Sequence, residues 1–171
     1  MKEIEVKILN INVAQVTQRI GELGAIKVFE GEVTSQYFDF PDRRITLADK
    51  VLRLRRKGEI TELTLKRKES HKEAKIMREY EVVVSDFEAT RKIMGLMGLQ
   101  AYKIADKHRA SYHLGSIHFE LDTLPGIPTF LEIEAQTLER LSEYVAKLGF
   151  SMKDTVPWSW CEVLKFYKVN E

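Results

Sequence analysis

Eight acids and eight bases stand at alternate positions with aliphatic residues along this chain, and their types define the chemistry on offer. The acids are Glu3, Glu5, Glu79, Glu81, Glu120, Asp122, Glu132 and Glu134. The bases are Lys7, Arg53, Arg55, Lys57, Lys66, Lys68, Lys107 and Arg109. Carboxylates are hard oxygen ligands suited to Mg²⁺ or Mn²⁺. Guanidinium and ammonium groups take phosphate oxygens. Side chains of both signs in one cavity suit a polyanion chelated by divalent cations. On a water-facing sheet the same residues would be a solvated surface, so the direction of the faces decides the function.

The elements that carry these residues follow from periodicity. In a strand, alternate side chains share a face. The first strand, about 2–9, puts Glu3, Glu5 and Lys7 on one side and Ile4, Val6 and Ile8 on the other. Asn12 caps a helix over roughly 13–23, ended by Gly24. A long strand, about 26–40, ends in Gln36-Tyr37-Phe38-Asp39-Phe40, and residues 43–50 form an irregular turn or one helical turn. Residues 51–57 and 61–68 form a hairpin across Gly58-Glu59, with Leu52, Leu54, Leu63 and Leu65 alternating against the bases. A polar, mobile loop is expected at 69–74, then a strand at about 75–84. Ser85-Asp86 caps a helix over about 86–97, with Phe87, Ile93, Met94 and Met97 as its apolar residues. Strands follow at about 100–114, 117–124 and 129–135, then a helix at about 137–148. A last helix, about 157–168, starts from Pro157, with Trp158 and Trp160 as core anchors.

Eight strands joined mostly by short turns imply a mainly antiparallel sheet. The helices carry apolar stripes and must pack on the aliphatic faces. Eight antiparallel strands can close on themselves. The fold class is therefore α+β: an eight-stranded antiparallel closed β-barrel with a charged interior and helices outside, in a single domain over 1–171. Charges buried on this scale are tolerated only when paired or coordinated.

Composition sets outer bounds. The 171 residues are 44% hydrophobic and 31% charged, with 27 Lys+Arg against 26 Asp+Glu and a net charge of +1. That balance lacks the basic excess of a nucleic-acid binder. Cys161 stands alone, so no disulfide forms within the chain, in keeping with a reducing compartment. No apolar run nears the ~18 residues of a membrane span, and the charged N-terminus is unlike a secretory signal. A cytoplasmic protein with no membrane partner is expected. A homodimer would form through outer faces or helices.

The ordered motifs resemble the CYTH superfamily, the triphosphate tunnel metalloenzymes, which include class IV adenylate cyclases and thiamine triphosphatases. They are Glu3-Ile4-Glu5-Val6-Lys7, Tyr37-Phe38-Asp39, Leu52-Arg53-Leu54-Arg55, Leu65-Lys66-Arg67-Lys68, Arg78-Glu79-Tyr80-Glu81, Asp106-Lys107-His108-Arg109, Glu120-Leu121-Asp122 and Phe130-Leu131-Glu132-Ile133-Glu134. The tail from Trp158 to Leu164 looks like the end of the class IV cyclase branch, with Trp160 where a tyrosine is expected. The resemblance implies a tunnel that holds one triphosphate and one or two Mg²⁺ or Mn²⁺ ions. On that basis Glu3, Glu5, Asp122, Glu132 and Glu134 are the metal ligands, and Lys7, Arg55, Lys66, Lys107 and Arg109 are the catalytic cations that bind the triphosphate oxygens. Arg53, Lys68 and Tyr37 are further substrate contacts. Glu79 and Glu81 either bind metal or hold the basic residues in place; Glu79 is assigned the second role and Glu81 is kept among the metal ligands. His118, in phase with Glu120, is the tunnel histidine, whereas His108 is out of phase.

The substrate is then a small triphosphate: ATP, tripolyphosphate or thiamine triphosphate. The leading reaction is conversion of ATP to cyclic AMP and pyrophosphate, a phosphorus–oxygen lyase of the class IV cyclase kind. The alternatives are a triphosphatase, a polyphosphate or nucleotide sensor without catalysis, and a plain β-domain with wet charged faces.

Overall fold

Alternation and short turns assemble the sheet largely as the pattern implies. The computed structural model describes residues 2–69 and 74–169. Its strands are β1 (Lys2–Ile8), β2 (Ile26–Asp39), β3 (Lys50–Lys57), β4 (Ile60–Glu69), β5 (Lys75–Val84), β6 (Gln100–Leu114), β7 (Ile117–Thr123) and β8 (Phe130–Ala135). They close into a barrel in the order β1-β5-β4-β3-β2-β6-β7-β8. The helices are α1 (Val13–Glu22), α2 (Phe87–Leu96), α3 (Leu138–Lys147) and α4 (Trp160–Phe166), and the expected turn at 43–50 holds a short 3-10 helix, Thr46–Ala48. No helix among the described residues is long and apolar enough to cross a membrane. Of the loop expected at 69–74, residues 70–73 lie outside the described residues, while Glu69 belongs to β4.

The chain forms two compact units. The first comprises residues 31–69 and 77–107. Its centre is the β3–β4 hairpin, whose Gly58 takes the left-handed turn conformation at φ +59°. The register pairs Leu54 with Leu63 and Leu52 with Leu65, and on the opposite face Arg53 with Thr64 and Arg55 with Glu62. Strand β2 extends both faces, placing Phe38 beside Leu52, Tyr37 beside Arg53 and Ser35 beside Arg55. The apolar face is covered by α2: Phe38, Leu54, Phe87, Met94 and Leu99 form one buried cluster. Asp86 caps α2 by accepting from the Ala89 N–H at 2.7 Å. Ile93 and Met97, expected on the apolar stripe, are exposed instead; a ten-residue helix covering one hairpin buries a narrow stripe, and Phe87 and Met94 fill it.

The second unit comprises residues 2–30, 74–76 and 108–169 among those described. Here β1 pairs with β8, β8 with β7, and β7 with β6, all antiparallel. Ile4, Val6, Phe119, Leu121, Leu131 and Ile133 face Val16 and Ile20 of α1 and Leu141, Tyr144, Val145 and Leu148 of α3 in one core. A smaller cluster seats α4 through Val163 and Leu164 against Leu124, Ile127 and Phe130, with Trp158 and Trp160 packed on it. The last helix starts later than Pro157 suggests. Ser159 is the N-cap and shares a capping box with Glu162. A hydroxyl that satisfies a free helical N–H outweighs proline's preset backbone angle.

Candidate active site

In the second unit, cross-strand register gathers acids. Glu5 of β1 lies directly beside Glu134 of β8. Glu3 is the next residue on the same face of β1. One carboxylate oxygen from each of Glu3, Glu5 and Glu134 falls within 4.8 Å of the others. Burial, and then the charge of Glu3, push the Glu134 carboxyl from its ordinary 4.5 up to about 8, although the His118 imidazole, 3.3 Å away, works against that rise. Like charges crowded out of water call for a counter-cation. Mg²⁺ or Mn²⁺ takes oxygen ligands at about 2.0–2.1 Å, so three oxygens this close can share one ion with little movement. The donor set fits a hard divalent cation.

The shift of Glu134 has a measurable consequence. Between about 4.5 and 8 the folded chain holds a proton that the unfolded chain has released. Its contribution to stability therefore falls as pH rises through that window and is level above it. In chelator-treated protein, the melting temperature of Glu134→Gln should decline less steeply than wild type from pH 4.5 to 8. Equal slopes would refute this account of Glu134.

Behind the cluster runs a chain of buried ion pairs. Lys7 donates to Glu5 at 2.9 Å and also to Glu132. Arg109 donates through Nε and Nη2 to both oxygens of Asp122, each at 2.6 Å, and through Nη2 to Glu132 at 3.1 Å. The register explains this, since Lys7 is opposite Glu132 and Arg109 opposite Asp122. Lys7, Arg109, Glu120, Asp122 and Glu132 are each at most 7% exposed. Burial opposes the charge of both bases. It is outweighed at Lys7 by Glu132 and then Glu5, and at Arg109 by Asp122 and then Glu120, so both hold their protons well above the usual range. Glu120 Oε2 has no hydrogen-bond partner and sits 3.7 Å from Arg109 Nε. Such depth excludes a wet, solvated face for these strands.

The first unit gathers bases on the face turned away from α2. Arg55 pairs with Glu62 at 2.7 Å and lies 3.7 Å from Glu81. Lys66 lies 3.4 Å from Glu79. Arg53 is held loosely: Glu79 is at 3.7 Å, Glu81 at 3.8 Å and Thr64 Oγ1 at 3.3 Å. Its Nε is buried with no hydrogen-bond partner. Thr64, wholly buried, also donates to Glu81 at 2.9 Å. A guanidinium with an unmet donor is ready for a ligand oxygen.

The structure thus sorts the expected residues. Glu3, Glu5 and Glu134 converge as a candidate cation site. Asp122 and Glu132 are engaged by Arg109 and Lys7. Glu79 and Glu81 lie among the bases of the first unit. Tyr37 is half-buried, its ring centroid 6.4 Å from that of Tyr102. Lys107 is half-buried on β6, whereas Lys68 is exposed at the end of β4. His118 stacks on His113 at 4.0 Å, and His108 is exposed. Three residues were not assigned from sequence. Glu62 was within reach, because a turn at Gly58-Glu59 puts it opposite Arg55. Thr64, opposite Arg53, follows from the same count. Lys75, which donates to Glu5 at 2.7 Å, had no signal, since no short turn ties β5 to β1.

Comparison with known proteins places this geometry in context. The family model described as the CYTH domain matches residues 1–157. A Methanocaldococcus jannaschii protein named "Putative adenylate cyclase" is 26% identical over 175 residues, covering 95% of this chain and 98% of that protein. A Vibrio parahaemolyticus structure described in the same words is 22% identical, with a TM-score of 0.84, covering 95% of this chain and 97% of that one. A Hippeastrum structure described as a "putative adenylyl cyclase" with a dominant triphosphatase activity is 16% identical with a TM-score of 0.69, covering 96% of this chain and 95% of that one.

Proposed function

The chain belongs to the CYTH domain family, and on that premise we propose that it is a divalent-metal-dependent enzyme acting on a triphosphate, with ATP cyclisation to cyclic AMP and pyrophosphate as its reaction. The observation that carries the reading is the convergence of Glu3, Glu5 and Glu134, in a chain that also presents Arg53 with an unmet guanidinium donor. The M. jannaschii relative named as a cyclase supports the choice of reaction.

A divalent cation, when bound, neutralises phosphate charge and makes a nearby hydroxyl or water more acidic. The residues of the chain do the rest. Glu3, Glu5 and Glu134 would hold the ion. Arg53, Arg55, Lys66 and Lys107 would donate to phosphate oxygens and stabilise the charge that develops during transfer. Glu62, Glu79 and Glu81, which lie beside Arg53, Arg55 and Lys66, would keep those three bases extended from their strands before the ligand arrives. Lys7 and Arg109, paired with buried carboxylates, would fix the acid cluster and lend it positive potential. Attack by the ribose 3′-hydroxyl on the α-phosphorus expels pyrophosphate and closes the cyclic ester.

The second reading is hydrolysis of the terminal phosphate of tripolyphosphate, a nucleoside triphosphate or thiamine triphosphate. The Hippeastrum neighbour favours it, because the same phosphate-binding residues serve either attack. Product identity separates the two. With ATP and Mn²⁺, cyclic AMP with equimolar pyrophosphate is expected. Orthophosphate in place of cyclic AMP would establish the hydrolase and remove the cyclase reading.

A further inference from the structure

Lys75 is a cation already seated on a candidate metal ligand. Its Nζ lies 2.7 Å from Glu5 Oε1, the oxygen that also accepts from Lys7 at 2.9 Å. The two lysines differ in what else they can do. Lys7 has a second partner in Glu132 and its side chain is 3% exposed. Lys75 has Glu5 as its ion-pair partner among the described residues, stands at the first position of β5, and has a side chain 25% exposed. An ammonium on a flexible four-carbon stem can leave such a place. Lys7 is shared between Glu5 and Glu132, and buried carboxylates short of counter-charge are costly, so Glu5 gains from holding Lys75 until another cation arrives.

We propose that Lys75 is a placeholder for the divalent cation: it occupies Glu5 in the metal-free protein and must be displaced into solvent as the ion binds Glu3, Glu5 and Glu134. The inference rests on the reading of those three carboxylates as the metal site. Displacement breaks one ion pair and leaves Lys7 on Glu132, so the acid cluster keeps its buried counter-charge. Metal affinity in the absence of substrate is then set partly by Lys75, although it is not itself a ligand. Removal of a side chain that supported the fold without opposing the ion would weaken metal binding or leave it unchanged.

The experiment titrates the full chain with Mn²⁺ alone, following free Mn²⁺ by electron paramagnetic resonance. Five proteins are compared: wild type, Lys75→Met, Lys75→Gln, Lys75→Arg and Glu134→Gln. Lys75→Met should bind Mn²⁺ roughly tenfold tighter than wild type, a change equivalent to about 1.4 kcal/mol. Lys75→Arg keeps the charge and should stay close to wild type. Lys75→Gln, which keeps a polar head group, serves as a second neutral variant and should also bind more tightly. Wild-type affinity, or weaker binding, in both neutral variants overturns the placeholder role while leaving the metal site standing. Equal Mn²⁺ binding by wild type and Glu134→Gln overturns the metal-site reading and the placeholder with it.

Discussion

Replacing Arg109 by Met is expected to lower the stability of the metal-free protein by about 3–5 kcal/mol, because it leaves buried carboxylates without their cation. Arg109 is 4% exposed and faces Asp122, Glu132 and Glu120 at 2.6, 3.1 and 3.7 Å. Methionine fills much of the space but returns none of the charge. Lys7 still neutralises Glu132, whereas Asp122 loses both of its 2.6 Å bonds to the guanidinium and Glu120 loses the base 3.7 Å from its Oε2. For a domain of this size the loss corresponds to a fall in melting temperature of roughly 10 °C. Urea and thermal melts of the chelator-treated variant measure it. A loss below about 1 kcal/mol would show that the carboxylates are protonated or solvated and that Arg109 is not their clamp.

Arg53→Met should do the opposite, costing affinity and sparing the fold. Arg53 contacts its acids at 3.7 and 3.8 Å and keeps a buried Nε without an acceptor. Removing it deletes an unmet donor, which costs the fold little. Glu79 retains Lys66, and Glu81 retains Thr64 and Arg55. A charge-assisted contact to phosphate is worth about 1.5–3 kcal/mol, so affinity for tripolyphosphate with Mg²⁺ should fall roughly 10- to 100-fold while stability stays within about 1 kcal/mol of wild type. Isothermal titration and a thermal melt decide the matter. Unchanged affinity would remove Arg53 from the phosphate site. The contrast between the two arginines follows from burial and pairing: Arg109 donates to Asp122 and Glu132 within 3.1 Å, whereas Arg53 keeps a buried Nε without an acceptor.

That contrast was not legible in the sequence, where Arg53 and Arg109 look alike as bases at alternate positions of a strand. The alternation itself was legible. Ile4, Val6 and Ile8 against Glu3, Glu5 and Lys7 identified two faces of β1, and the helices had to cover the aliphatic one. Closure of the barrel followed from strand number and turn length. The partners of Arg109 were out of reach, because Asp122 and Glu132 come from β7 and β8 and pairing depends on register across several strands. Local hairpin register was within reach, and counting from Gly58-Glu59 leads to Glu62. The late start of α4 was misjudged because Pro157 is a conspicuous signal, while Ser159 with Glu162 is a quieter and stronger one. The exposure of Ile93 and Met97 depends on how much of α2 the sheet can cover, which periodicity does not report.

The central claim is that the chain performs metal-dependent chemistry on a triphosphate. Its most direct test is ³¹P analysis of ATP and tripolyphosphate after incubation with the full chain, with Mn²⁺ and with chelator. The account predicts that Mn²⁺ supports conversion of ATP to cyclic AMP and pyrophosphate, and that chelator abolishes it. Turnover of neither triphosphate in the presence of Mn²⁺, or equal turnover with chelator, would contradict the account.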